Sequence, residues 1–258
     1  MCLIVFSWQA HADYRLVLAA NRDEFHERPA APLAWWAHEP DVVGGRDLQA
    51  GGTWLAATRS GRFATVTNYR EDLRPQPGIR SRGELVPRFL AGDESAREYA
   101  EEVDGDLYAG FSLLVGTLSP QEELVYCSNR GDAPRALAPG VYGLSNASLD
   151  TPWPKLLRSK ARLEAVLGSA VRVEALLALL ADREPDGNED FGDAIADDLP
   201  ESLRRAVAAP FVVTPAYGTR CSTVLLARND GHVTIHERRF DPAGSATGDT
   251  RLEFRIPL

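Results

Sequence analysis

The chain predicts an α+β fold, two mainly antiparallel sheets with helices on their outer faces. Three observations carry that reading. The first third alternates short, β-rich apolar runs with turn residues. Two helical blocks follow, at 81–103 and 154–180, and β-rich runs return after residue 211. Strands, then helices, then strands again suit layered sheets that bury one face on each other and the other under helices. No repeat or low-complexity linker interrupts the pattern, so 1–258 is expected to form a single domain.

The elements follow in order. Cys2 to Trp8 and Arg15 to Ala20 flank the polar turn Gln9 to Tyr14 and predict a hairpin. Glycine-rich 44–52 reads as turns; it neither follows a strand nor opens a helix, so phosphate cradling is rejected. Thr53 to Thr58 and Arg62 to Asn68, joined by Arg59-Ser60-Gly61, predict a second hairpin. Ser81 to Leu90 and Glu94 to Val103 show helical spacing, with Pro87 implying a kink or a late start. Phe111 to Leu118, Glu123 to Ser128 and Gly140 to Asn146 read as strands. Pro154 to Leu167 and Val173 to Leu180 read as helices with leucine-lined faces. Asp182 to Asp198 is an acidic loop. Its Asp186, Asn188 and Asp190 imitate a calcium loop, but Phe191 stands where glycine is required. Phe211 to Thr214, Arg220 to Ala227 and His232 to Phe240 end the fold as strands, with Arg251 to Ile256 as an edge.

Composition narrows the function. A net charge of −9 disfavours nucleic acid, whose phosphates need a basic face. No run of some 18 apolar residues is present to span a bilayer, and no basic amphipathic helix suggests a membrane surface. Cys2, Cys127 and Cys221 are too few and too scattered for a disulfide framework, which fits a reducing compartment. A cytoplasmic protein acting on a small-molecule substrate or apolar ligand is expected, with its oligomeric state left open. The His232/His236 pair lies on one strand face with no further ligand spacing, so it is expected to face solvent, and no metal or other cofactor is expected.

Chemistry concentrates where polar residues interrupt apolar strands. Cys2 opens the first strand; once Met1 is removed it carries a thiol and an α-amine on one residue. Their reference pKa values of ~8.5 and ~7.7–8.0 let them share a proton near neutrality. Asn21-Arg22-Asp23-Glu24 ends the second strand, where loops project functional groups. The hairpin would bring Asp23 to the Cys2 amine. Thr67-Asn68 and Ser145-Asn146 close strands; such asparagines can donate to an oxyanion, or simply cap turns. Arg220, opening the Arg220-Cys221-Ser222 strand, needs a partner for its charge. Trp54 and Trp153, with Trp35-Trp36, can line a pocket or fill the core.

Longer motifs run along the chain: Met1-Cys2, Ala20-Asn21-Arg22-Asp23-Glu24-Phe25, Gly45-Arg46-Asp47, Gly51-Gly52-Thr53-Trp54, Thr67-Asn68-Tyr69-Arg70 and Ser81-Arg82-Gly83-Glu84-Leu85. Tyr142 to Ala147, Asp150 to Lys155 and Tyr217 to Thr223 continue the series over nearly its whole length. Together these segments resemble the NRDE family, also called the transport and Golgi organisation protein 2 family. That family is similar to N-terminal-nucleophile hydrolases, which implies a four-layer αββα sandwich and cleavage of a non-peptide amide or acyl compound. By the same resemblance Cys2 is the nucleophile and Asp23 orients the amine. Asn68 and Asn146 position the oxyanion, and Arg220 tunes the thiol. Asn21, Arg22, Trp54 and Trp153 are the candidates to bind substrate. Those hydrolases carry arginine where this chain has Ala20, and Arg22 is expected to point the other way along an extended strand. Animal relatives are linked to haem trafficking, which keeps a carrier for haem or an acyl-CoA-like ligand as the alternative.

Overall fold

A computed structural model describes residues 2–70, 80–119, 123–131, 133–185 and 201–258. Strands β1 (Cys2–Trp8), β2 (Tyr14–Phe25), β3 (Ala30–Trp35), β4 (Val42–Asp47), β5 (Leu55–Thr58) and β6 (Arg62–Asn68) come first. Helices α1 (Leu85–Ala91) and α2 (Ala96–Glu102) precede β7 (Phe111–Thr117), β8 (Leu124–Ser128), β9 (Arg135–Ala136) and β10 (Gly140–Leu144). After α3 (Pro154–Leu167), α4 (Val173–Leu180) and α5 (Glu201–Val207) the chain ends in β11 (Tyr217–Arg228), β12 (His232–Phe240) and β13 (Ala246–Arg255).

Two antiparallel sheets result, ordered β10-β1-β2-β11-β12-β13 and β3-β4-β5-β6-β7-β8-β9. Alternation along each strand divides the faces. Ile4, Phe6, Trp8, Leu16 and Leu18 meet Leu55, Phe63 and Leu114 between the sheets. Leu3, Val5, Val17 and Val224 face outward under Leu156, Leu163, Leu176 and Leu180 of α3 and α4. On the far side Ala64, Leu113 and Val115 carry Leu85, Phe89 and Tyr99 of α1 and α2. The layers are therefore helix, sheet, sheet, helix, as the sequence predicts. Each fully buried leucine or phenylalanine contributes about 1.5–3 kcal/mol. Among the described residues no helix is long and apolar enough to cross a membrane.

Four local expectations are corrected. The second strand does not stop at Ala20. It runs to Phe25 and pairs through Asn21 to Glu24 with β11, because buried partners satisfy those polar side chains. Gly44 and Gly45 lie in β4 rather than in turns. A Cβ at Gly45 would collide with the Trp54 ring, so glycine there permits close packing. Phe211 to Thr214 forms only an isolated bridge at Val213. His236 is buried and bonded to Asp249 rather than facing solvent. Pro87 falls in the first turn of α1, where its missing N–H costs nothing. The calcium-like residues 186–197 lie outside the described residues.

Candidate active site

Cys2 begins β1 at the open end of the inter-sheet space. Its register partner on β2 is Arg22, and Arg22 is in turn opposite Cys221 on β11. Directly paired residues share a face, so Cys2, Arg22 and Cys221 form one row pointing between the sheets. This corrects the expected direction of Arg22. Residues two apart along a strand lie on one face, so Arg22 takes the side that Ala20 does.

A cavity of about 100 Å³ lies there, lined by Cys2, Arg22, Asp23, Glu24, Asp47 and Trp54, with Asn68 and Arg82 among the remaining walls. Its lining is mostly polar. A larger space of about 410 Å³ lies at α1 and α2 around Arg88 and Tyr99, away from Cys2.

The backbone N–H of Cys2 donates to Asn146 Oδ1 at 3.2 Å, and Asn146 Nδ2 donates to the Asn68 carbonyl at 2.8 Å. Asn146 is buried at φ 55°, a left-handed conformation that asparagine tolerates better than most residues. The carboxyl of Asp23 accepts the Thr219 hydroxyl at 2.7 Å, and its backbone carbonyl accepts the Tyr217 hydroxyl at 2.9 Å. A bulge between Thr219 and Cys221 makes the first contact, since it returns Thr219 to the level of Asp23.

Burial dominates the electrostatics. It pushes the Cys2 thiol up, aided by the Asp23 charge and opposed by Arg22 and the Asp23 backbone N–H. It also pushes the Asp23 carboxyl up, against the Thr219 hydroxyl and the charges of Lys155 and Arg22. Asp47 behaves oppositely. Despite its burial, the Ala50 N–H and Arg28 guanidinium hold its carboxyl below the ordinary range. Among the described residues no group of acidic, histidine and cysteine side chains is arranged to hold a metal ion.

The structure brings together Cys2, Arg22, Asp23, Trp54 and Asn68 around the cavity, with Asn146 behind Cys2. It does not bring Asn21, Trp153 or Arg220 to that lining. Asn21 faces the helical layer, where Nδ2 donates to the Leu180 and Pro210 carbonyls and Oδ1 accepts the Ser222 hydroxyl. Trp153 precedes α3 and packs against the outer face of the first sheet. Arg220 is the bulged residue, and its guanidinium donates to the carbonyls of Phe25 and Arg28. The guanidinium that borders Cys2 is that of Arg22. Glu237 is the buried carboxyl that sequence reading missed: it accepts the Leu33 N–H at 2.9 Å and lies close enough to the Cys221 thiol for each to influence the other's proton. A glutamate inside an alternating strand gave no signal that its face was the inner one.

A family model described as Transport and Golgi organisation 2 matches residues 1–242. The Transport and Golgi organization protein 2 homologs of Bos taurus and Homo sapiens are 41% and 40% identical, each alignment covering 99% of both chains. The Drosophila melanogaster protein of that name is 29% identical over 95% of both chains. Among solved structures, a Caenorhabditis elegans N-acylethanolamine-hydrolyzing acid amidase ortholog is similar at TM-score 0.49 and 8% identity, covering 87% of this chain and 92% of that one. Penicillin V acylase from Agrobacterium tumefaciens follows at TM-score 0.46 and 11% identity, covering 97% and 91%. At those scores neither likeness bears on this chain's chemistry.

Proposed function

The chain belongs to the Transport and Golgi organisation 2 family, and we propose that it is an N-terminal-cysteine hydrolase of a small amide or acyl compound. The observation that carries this reading is the setting of Cys2: the first residue of a buried strand, opening into a polar cavity with its N–H held by Asn146.

With Met1 removed, the Cys2 amine takes the thiol proton and the thiolate attacks the substrate carbonyl. The protonated amine then delivers that proton to the leaving nitrogen, and water hydrolyses the thioester. Asn146 positions the amine. Asp23 orients its protonated form and raises its proton affinity. Asn68 contacts substrate at the mouth, Trp54 forms the wall behind Arg22, and Arg220 fixes the loop after β2. A cavity near 100 Å³ with a polar lining suits a short, polar acyl group. The carrier reading draws no support from it, because sites for whole small molecules run ~300–1,000 Å³.

The test is turnover of acyl amides graded in acyl length by the Met1-processed protein. Hydrolysis of short acyl amides that disappears in Cys2→Ala is expected. Equal hydrolysis by Cys2→Ala, or none by the processed wild type, contradicts the reading.

A further inference from the structure

A side chain that lines the cavity carries a buried donor without a partner. Among the described residues, Arg22 Nη1 is buried without a hydrogen-bond partner, and Arg22 is only 5% exposed. Its Nη2 lies 3.6 Å from Asp47 and 3.8 Å from Glu24, too far for hydrogen bonds. Both carboxylates have closer partners. Asp47 takes Arg28 Nε at 2.7 Å and the N–H groups of Gln49 and Ala50, while Glu24 takes the Phe25 N–H at 2.9 Å. Trp54 lies 4.4 Å from the guanidinium carbon, so the plane is fixed against an aromatic face.

The direction of the side chain matters as much as the open donor. Arg22 is the direct cross-strand partner of Cys2, with Cβ atoms of such pairs ~4.5–5.5 Å apart. Its longer stem carries the guanidinium to Trp54 and Asp47 on the facing sheet. Cys2 and Arg22 line the same small cavity, so a carbonyl group bonded to Cys2 Sγ occupies the space that the guanidinium borders. Asn146 is less suited to that task, since it is absent from the cavity lining and both its amide atoms already bond backbone, Oδ1 to the Cys2 N–H and one Nδ2 hydrogen to the Asn68 carbonyl.

We propose that Arg22 Nη1 is the oxyanion donor of this site, a catalytic role resting on the hydrolase reading above. When the Cys2 sulfur–carbon bond forms, the carbonyl π pair moves onto oxygen and the thiol proton goes to the Cys2 amine. Nη1 donates to that oxygen. When the carbonyl re-forms, the carbon–nitrogen bond breaks and the amine returns the proton to the leaving nitrogen. A charged donor already buried and fixed gains an acceptor only as the charge develops, which favours the transition state.

The experiment compares two reactions of the same thiol in Met1-processed wild type, Arg22→Lys and Arg22→Gln. S-Phenyl thioacetate acylates Cys2 through a tetrahedral oxyanion; iodoacetamide alkylates it by displacing iodide and forms none. Arg22→Gln is expected to slow acylation about 10²–10³-fold while alkylation changes less than about tenfold, with Arg22→Lys between. Because alkylation reports an intact site, a misfolded variant is recognised, and Arg22→Lys then carries the comparison. Acylation within about threefold of wild type in both variants overturns the proposal. So does an equal fall in both reactions, which would assign Arg22 to the thiol rather than to the oxygen. Absent acylation of Cys2 in wild type itself would instead remove the hydrolase reading, and this role with it.

Discussion

Asn146 holds Cys2 across 144 residues: its carboxamide oxygen accepts the Cys2 N–H at 3.2 Å while its nitrogen grips the Asn68 carbonyl on the opposite sheet. One side chain thus ties the first residue of β1 to the last of β6.

Removing that tie should move the nucleophile more than it weakens the fold. Asn146→Gly accepts φ 55° without strain, so its melting temperature is expected within a few degrees of wild type. Hydrolysis should fall about 10²-fold, as misplacement of a reacting group by an ångström does. Asn146→Ala should be less stable than Asn146→Gly by about 1–2 kcal/mol, the cost of a Cβ in the left-handed region. Thermal denaturation of both variants checks the order.

The three thiols should separate by reactivity. Cys2 is partly exposed and opens on the cavity, whereas Cys127 and Cys221 are buried. Burial pushes the Cys127 thiol up to about 12 and holds Cys221 well above the ordinary range. Iodoacetamide should give one adduct, on Cys2, until the protein is unfolded. Burial also raises the Cys2 thiol. With Met1 in place its labelling rate should then climb about tenfold per pH unit from 7 past the ordinary ~8.5. A rate already flat at pH 7 by intact mass would show a lowered thiol instead.

Glu237 should make stability depend on pH. Burial raises its carboxyl above the unfolded value, so the folded chain binds the proton more tightly. Its stabilising effect is complete below the unfolded carboxyl's ~4.3 and is lost as pH rises through the raised value. Glu237→Gln keeps an acceptor for the Leu33 N–H and removes the titration. The variant is expected to equal wild type near pH 4 and exceed it at pH 7, read from urea midpoints at both.

Asn21 should prove structural. Asn21→Leu leaves the Leu180 and Pro210 carbonyls and the Ser222 hydroxyl without their shared partner, a loss of about 2–4 kcal/mol. Alkylation of Cys2 in the folded variant should keep its wild-type rate. A tenfold change would return Asn21 to the cavity.

These contrasts show what a linear reading could reach. Apolar alternation placed β1, β5, β6, β7, β8 and β12 and the helical spacing of α3 and α4, because burial on one face writes itself into the period. The end of β2 was misread because Asn21 to Glu24 look like a loop. Their burial depends on Leu180, Thr219 and Ser222, nearly 160 residues or more away. Gly44 and Gly45 misled for the same reason, since close packing on Ala56 and Trp54 is invisible in composition. Asp23 could be tied to Cys2 from the hairpin alone. Exchanging Arg220 for Arg22 as the guanidinium beside the thiol required the register of three strands and the bulge at residue 220.

Hydrolysis at this site requires that the carbon–sulfur bond form at Cys2 with its own amine as base. Intact and peptide mass measurement of the Met1-processed protein, quenched during turnover of a short acyl amide, tests it most directly. A mass increase of one acyl group is expected on the Cys2 peptide, absent in Cys2→Ala and absent when Met1 is retained. Turnover without an adduct on Cys2, or an equal adduct with Met1 in place, would contradict it.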